Sequence, residues 1–177
     1  MNILEQLNPA RSVCFSGHRP ERLPRRGKPD APEMQTLAAA LRHEIEYAIR
    51  RGLDTFLNGL MAGWDVLSAE QVLALKDQYP HIRLVTLAPY AVGFFSCEKC
   101  WTDDWIKRAK EVCRQSDIGV SLAERYRAGI YYERNHILVD HSAELICYWD
   151  GDKGGTQFTV QYAKSRGQAV NNLFSPV

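Results

Sequence analysis

No apolar run in this chain approaches the ~18 residues that a membrane-spanning helix needs, and the start has no basic stretch leading into a long apolar one. Neither export nor membrane insertion is expected. Charge of one sign is missing too. Lys and Arg number 22 against 21 Asp and Glu, a net charge of +1, which argues against whole-surface attraction to nucleic acid or membrane. The chain has no G-x-x-x-x-G-K-[ST] sequence, so a P-loop ATPase is unsupported, and its first strand-like run lacks the G-x-G-x-x-G of a standard dinucleotide dehydrogenase. Repeats, low-complexity tracts and linkers are absent. Cysteine is sparse and odd in number, at five (Cys14, Cys97, Cys100, Cys113, Cys147). Cys14 and Cys147 sit in apolar runs, where a thiol behaves as a small hydrophobe, and this usage points to a reducing, cytoplasmic setting. Cys97 and Cys100 form a C-x-x-C pair, but zinc needs four ligands and no second pair or H-x-x-x-H follows. A thioredoxin-type pair would follow the first strand, and this one does not. His136 and His141, five apart, also make a poor metal pair, so no metal is expected and no cofactor can be named.

What is present reads as one globular domain, residues 1–177: 45% hydrophobic and 24% charged residues are ordinary values. Short apolar runs at 12–16, 54–58, 82–87, 118–122 and 144–149 read as strands, and 169–174 could close the sheet. Between them lie helical patterns from Glu33 to Gly52, Asp65 to Tyr79, through Trp101, Trp105, Ala109, Val112 and Cys113, from Glu133 to His141, and from Thr156 to Arg166. Strand and helix alternate throughout, which implies right-handed βαβ units. The fold expected is α/β, a single Rossmann-like three-layer domain with a mostly parallel sheet.

In such a sheet ligands bind outside the carboxyl ends of the strands, where strand order reverses. Three polar or glycine-bearing turns follow strands here: G-H-R-P (Gly17, His18, Arg19), G-L-M-A-G-W-D (Gly59, Gly63, Asp65) and D-G-D-K-G-G-T (Asp150, Gly154, Gly155, Thr156). All three should emerge on one edge. Gly59 and Gly63 equally suit tight turns with positive φ. Gly154 and Gly155 would let backbone amides approach an anion at a helix start, and the Thr156 hydroxyl could bond a phosphate or cap its own helix. Asp65 could complement the helix dipole. Glu70, five residues on, could bond a ribose hydroxyl or simply face water. Arg134 and Asn135 arrive near the start of a helix. Tyr126, Tyr131 and Tyr132 offer rings for stacking on a base or for packing, and the basic segment Arg11–Lys28 suits phosphate or solvent.

Together these blocks resemble the YpsA-like proteins of the SLOG superfamily. The carriers are S-G-H-R-P, G-L-M-A-G-W-D-V-L-S-A-E, the A-P-Y segment before a Trp-bearing helix, and R-N-x-x-L-V-D-x-S-A-E-L-I-C-Y-W-D-G-x-x-G-G-T. The resemblance runs from about Val13 to Ala163. It implies a Rossmann-like fold related to the LOG phosphoribohydrolases and to the DNA-processing protein DprA, and a nucleotide or nucleotide-derived ligand held by the matching turns. One departure bears on activity. LOG enzymes carry P-G-G-x-G-T-x-x-E with a catalytic glutamate, and here Thr159 stands in that place, unable to act as a carboxylate base. The resemblance therefore implies a ligand-binding sensor or regulatory module, with a protein partner and self-association among its expected partners. The alternative is a nucleotide phosphoribohydrolase or related N-glycosidic hydrolase using Asp65, Glu70 or Asp150. Direct DNA binding has the weakest support.

Overall fold

The computed structural model describes residues 3–175. Among them, six strands form one sheet: β1 (Ser12–Gly17), β2 (Thr55–Asn58), β3 (Arg83–Tyr90), β4 (Ile118–Ala123), β5 (Glu144–Tyr148) and β6 (Ala169–Asn172). Every pairing is parallel, and the order is β4-β3-β2-β1-β5-β6. Five helices connect them: α1 (Pro32–Arg50), α2 (Trp64–Leu75), α3 (Asp103–Gln115), α4 (Ile130–Asp140) and α5 (Gly155–Ser165).

Alternation along each strand builds two cores. Val13, Phe15, Phe56, Leu84 and Ile146 pack with α1, α2 and α3 on one face. Cys14, Leu57, Val85, Leu145 and Cys147 pack with α4 and α5 on the other. Successive side chains of a strand point to opposite faces, so strands buried on both sides carry continuous apolar runs. Right-handed crossovers explain which helix goes where. The chain steps outward from β1 to β4 with helices on one face, then returns to the far side of β1, which transfers the remaining crossovers to the other face. The reversal falls between β1 and β5, and both strands end at the same edge.

Three boundaries differ from the sequence expectation. β3 runs on through Ala88, Pro89 and Tyr90, because its pairing with β4 continues to Tyr90 opposite Ala123 while β2 stops at Thr86. Pro89 thus sits where the sheet has a neighbour on one side only, the place a strand tolerates proline. Trp101 is buried but precedes α3, which Thr102 caps by accepting the Trp105 N–H. Cys113 is exposed rather than part of the buried stripe, since Trp105, Ala109 and Val112 already define that face and the next residue turns about 100° away. Helix α4 begins at Ile130, which is fully buried and follows Gly129 with φ +81°.

Candidate functional site

The ends of β1 and β5, with the loops that follow β2 and β4, enclose a cleft of ≈ 310 Å³. It opens at the β1/β5 reversal, where a doubly wound sheet splits its loops apart.

The floor is built by the β2–α2 turn. Asn58 at the end of β2 donates through Nδ2 to the Asp65 carbonyl at 2.6 Å and accepts the Leu60 N–H at 2.7 Å. Leu60 takes φ +62°, a conformation costly for a branched residue and held here by those bonds. The turn places the Asp65 carboxylate against the Met61 N–H, 3.3 Å away, and 3.9 Å from Arg134 Nη1. Arg134 reaches in from the second turn of α4. It donates to the Gly59 carbonyl and, through Nε, to Asn135 Oδ1 at 2.8 Å. Arg134 is 5% exposed and Asn135 9%. Burial pushes the Asp65 carboxyl above its ordinary range although Arg134 and Met61 oppose it, and burial lowers the Arg134 guanidinium although Asp65 supports it. Both shifts disfavour charge, as expected for an ion pair taken out of water.

The glycines divide into two kinds. A Cβ on Gly17 would lie 2.4 Å from the Trp64 ring, one on Gly59 2.0 Å from Arg134 Nη1, and one on Gly63 2.5 Å from the His18 carbonyl. Protein fills the space beside these three. Gly63, with φ +98°, starts α2 against that carbonyl, and the Trp64 N–H donates to it at 3.0 Å. They seat the β1 and β2 loops on each other and so position Arg134 and Asp65. Gly154 and Gly155 are different: a Cβ on either would meet nothing within 4 Å.

At α5 the backbone is left open. Gly154 precedes the helix with φ +149° and no side chain caps it. The first internal bond runs from the Phe158 N–H to the Gly154 carbonyl. Among the described residues, no acceptor meets the N–H groups of Gly155, Thr156 and Gln157, and all three residues line the cleft. Free N–H groups and the positive end of the dipole coincide there. Thr156 is the second residue of the helix, so its hydroxyl is not the cap. Thr159 lies one turn on, 1% exposed, and donates to the Gly155 carbonyl at 3.0 Å. It faces the core and not the cleft.

A clamp joins the β1 loop to the β5–α5 loop. His18 Nε2 accepts the Asp150 N–H at 3.1 Å and lies 2.8 Å from Asp150 Oδ1, while Arg22 pairs with both Asp150 and Asp152. Burial holds the His18 imidazole below its ordinary 6.5, against the opposing pull of Asp150. A base whose folded pKa is depressed contributes stability that is complete above 6.5 and lost as pH falls through the folded value. Thermal unfolding should therefore show a midpoint that declines below about pH 6.5, and His18→Asn should flatten that decline. Asp150, Arg22 and Asp152 are the charged groups facing the ring, and an unchanged slope in the variant would assign the pH effect elsewhere.

The structure brings together Gly17, His18, Arg19, Asp65, Arg134, Asn135, Gly154, Gly155 and Thr156 around the cleft. Asp150 stands behind it in the clamp, and Gly59 and Gly63 beneath it. Glu70 does not join them. Its carboxylate takes Arg108 on both oxygens at 2.7 Å, on a groove between α2 and α3. Five residues on a helix turn the chain about 140° from Asp65. Arg22, Met61, Tyr131, Asp152, Lys153 and Gln157 also line the cleft; of these the sequence offers Tyr131 as a stacking ring and Arg22 within the basic segment Arg11–Lys28. Asp152 and Lys153 lie inside the D-G-D-K-G-G-T turn and could have been included with it. The basic segment does not show which of its cations reaches the cleft, because the partners of Arg22 are more than a hundred residues away. Tyr126 is 62% exposed and Tyr132 53%, the latter packing on Phe158 at 4.6 Å between centroids. Among the described residues, no three His, Cys, Asp or Glu gather as a metal ion would need, and no helix is long and apolar enough to cross a membrane.

Comparison with known proteins agrees with this architecture. The chain is similar to the UPF0398 protein of Bacillus anthracis (strain A0248), 25% identical over 147 residues that span 81% of this chain and 78% of the relative. A UPF0398 protein of Bacillus cereus (strain AH187) is 24% identical over the same shares. Among solved structures, DNA processing protein A of Helicobacter pylori, described for its single-stranded DNA binding mode, superposes with a TM-score of 0.65 at 17% identity. That match covers 100% of this chain and 70% of the other. DprA of Streptococcus pneumoniae gives 0.61 at 13% identity, covering 98% of this chain and 53% of that one. At such identities the likeness is one of fold. A model of the YspA SLOG family matches residues 13–174, nearly the full length, and the chain belongs to that family.

Proposed function

We propose that this protein binds a nucleotide or nucleotide-derived ligand in the β1/β5 cleft, with a phosphate on the amino end of α5, and acts as a sensor or regulatory module. The observation that carries the reading is the set of three unpartnered N–H groups at Gly155, Thr156 and Gln157, facing a cleft beside two glycines whose flanks are open. A second observation is independent of the helix end. Asn135 Nδ2 has no acceptor among the described residues although the residue is 9% exposed and lines the cleft. That donor is open to the cleft, where a ligand acceptor could take it. Lys153 adds a cation with no ion-pair partner among the described residues. Self-association, or a partner protein that reads the bound state, would complete such a module.

The test is thermal unfolding of the purified protein with AMP, ADP-ribose, NAD and cyclic dinucleotides, beside the phosphate-free nucleosides. A ligand at 100 times its dissociation constant should stabilise by about 2.7 kcal/mol. Nucleosides alone should give no shift. If no phosphorylated compound shifts the midpoint, and calorimetry also detects no heat, the reading is wrong.

One observation favours a second reading, a glycosidic hydrolase. Asp65 is the buried carboxyl in the cleft, and its raised proton affinity suits a general acid. Release of free base from nucleoside monophosphates, abolished by Asp65→Asn, would support it. Thr159 points away from the cleft and takes no part in either reading.

A further inference from the structure

The connection between β3 and α3 carries the C-x-x-C pair and touches the cleft wall at two points. After a 3-10 turn at Phe94–Ser96 the chain folds tightly, with the Trp101 N–H donating to the Glu98 carbonyl at 3.2 Å. Cys97 is exposed and Cys100 buried. Between them Glu98 receives the Arg19 guanidinium on both carboxylate oxygens, at 2.8 and 2.9 Å. The Cys100 thiol donates to the same carboxylate at 3.9 Å. The Cys97 sulfur lies 3.3 Å from the Tyr131 hydroxyl. Arg19 and Tyr131 both line the cleft. Each sulfur is thus bonded to a group that forms or holds the cleft wall.

We propose that Cys97 and Cys100 are a disulfide-forming pair, and that closing it frees Arg19 from Glu98, so thiol oxidation tunes anion binding. The effect on binding rests on the function proposed above; the disulfide and the release of Arg19 do not. For the bond to close, both sulfurs must turn toward each other. Cys97 then leaves Tyr131, Cys100 leaves Glu98, and Glu98 moves with the turn that the new ring encloses. Arg19 loses a bidentate partner, one of the stronger contacts available to a guanidinium, and its charge becomes free for a ligand.

The chemistry balances with a low-molecular-weight disulfide as oxidant. The exposed Cys97 thiolate attacks one sulfur of that disulfide, forming a mixed disulfide and expelling the first thiolate. The Cys100 thiolate then attacks Cys97 Sγ, forming the Cys97–Cys100 bond and expelling the second. Two protons pass from the cysteines to the two expelled thiolates, and two electrons reduce the oxidant. Burial pushes the Cys100 thiol up to about 11, which leaves the exposed Cys97 as the first attacker and Cys100 as the second. Cys14 and Cys147 are buried inside strands.

The full chain is treated with glutathione disulfide and followed by intact mass and peptide mapping. The expected product is a Cys97–Cys100 link. Cys100→Ser should stall as a glutathione adduct on Cys97, and Cys113→Ser should behave as wild type. Glu98→Gln should lower the unfolding midpoint of the reduced protein but leave the oxidised protein unmoved, because its ion pair is already broken. Oxidised protein should bind inorganic phosphate about tenfold tighter than reduced, and reduced Glu98→Gln should match it. Failure to form the link overturns the proposal, as does an equal effect of Glu98→Gln in both redox states. A link that forms with the stability pattern intact, in a protein that binds phosphate in neither state, upholds the thiol pair and removes the anion-binding reading.

Discussion

Replacing Gly155 with aspartate should abolish anion binding and leave the protein as stable as before, or more so. Gly155 is the first residue of α5, and a side chain there would meet nothing within 4 Å. Its φ lies outside the range that only glycine tolerates. A helix gains from losing glycine, and a carboxylate in the first turn gains typically 0.3–1 kcal/mol from the dipole. The same carboxylate would occupy the space that the Gly155, Thr156 and Gln157 amides present to a phosphate. The expected result is an unchanged or raised unfolding midpoint with affinity for the phosphorylated ligand reduced at least ~100-fold, about 2.7 kcal/mol. Few substitutions separate binding from folding so cleanly. Retained affinity in a folded variant would move the phosphate site away from α5.

Arg134→Met should have the opposite profile, with stability lost before function can be measured. Arg134 and Asp65 are 5% and 6% exposed and 3.9 Å apart. Removing one member of a buried pair leaves an uncompensated charge, at a cost of about 3–5 kcal/mol. The Gly59 carbonyl would lose its guanidinium donor as well. Urea unfolding should show this loss. Arg134→Met with Asp65→Leu should recover much of it, since a hydrophobic replacement of both partners is often neutral. A single-variant loss below about 1 kcal/mol would mean that the pair has little structural role. Asp65→Asn, which keeps the shape and a hydrogen-bonding oxygen for the Met61 N–H, is the milder change for testing chemistry.

The frame of the fold was legible because buried parallel strands must be apolar on both faces. The runs V-C-F and L-I-C-Y announce β1 and β5 with little ambiguity, and the edge on which the turns gather follows from parallel connection alone. The start of α4 was obscured because its buried face carries Arg134 and Asn135, so the helical period shows no clean apolar stripe. The glycines were legible as special positions but not as to kind. Sequence reports only a missing Cβ. Whether Trp64, Arg134 or a ligand takes that space is decided by chain segments far apart in sequence. The same limit hid the partners of Arg22 and of Arg19, whose contacts with Asp150 and Glu98 span 128 and 79 residues. Glu70, five residues beyond Asp65, lies on a different face of its helix, and only the packing of α2 against α3 shows that its partner is Arg108 and not a ligand.

The most direct measurement is an amide NMR titration of the isotope-labelled protein with AMP, repeated with inorganic phosphate. The N–H signals of Gly155, Thr156 and Gln157 should shift together and saturate with both compounds, while Gly155→Asp shows no saturable shift. Signals at these three amides that stay still, while others move or none do, would contradict a phosphate site at the amino end of α5.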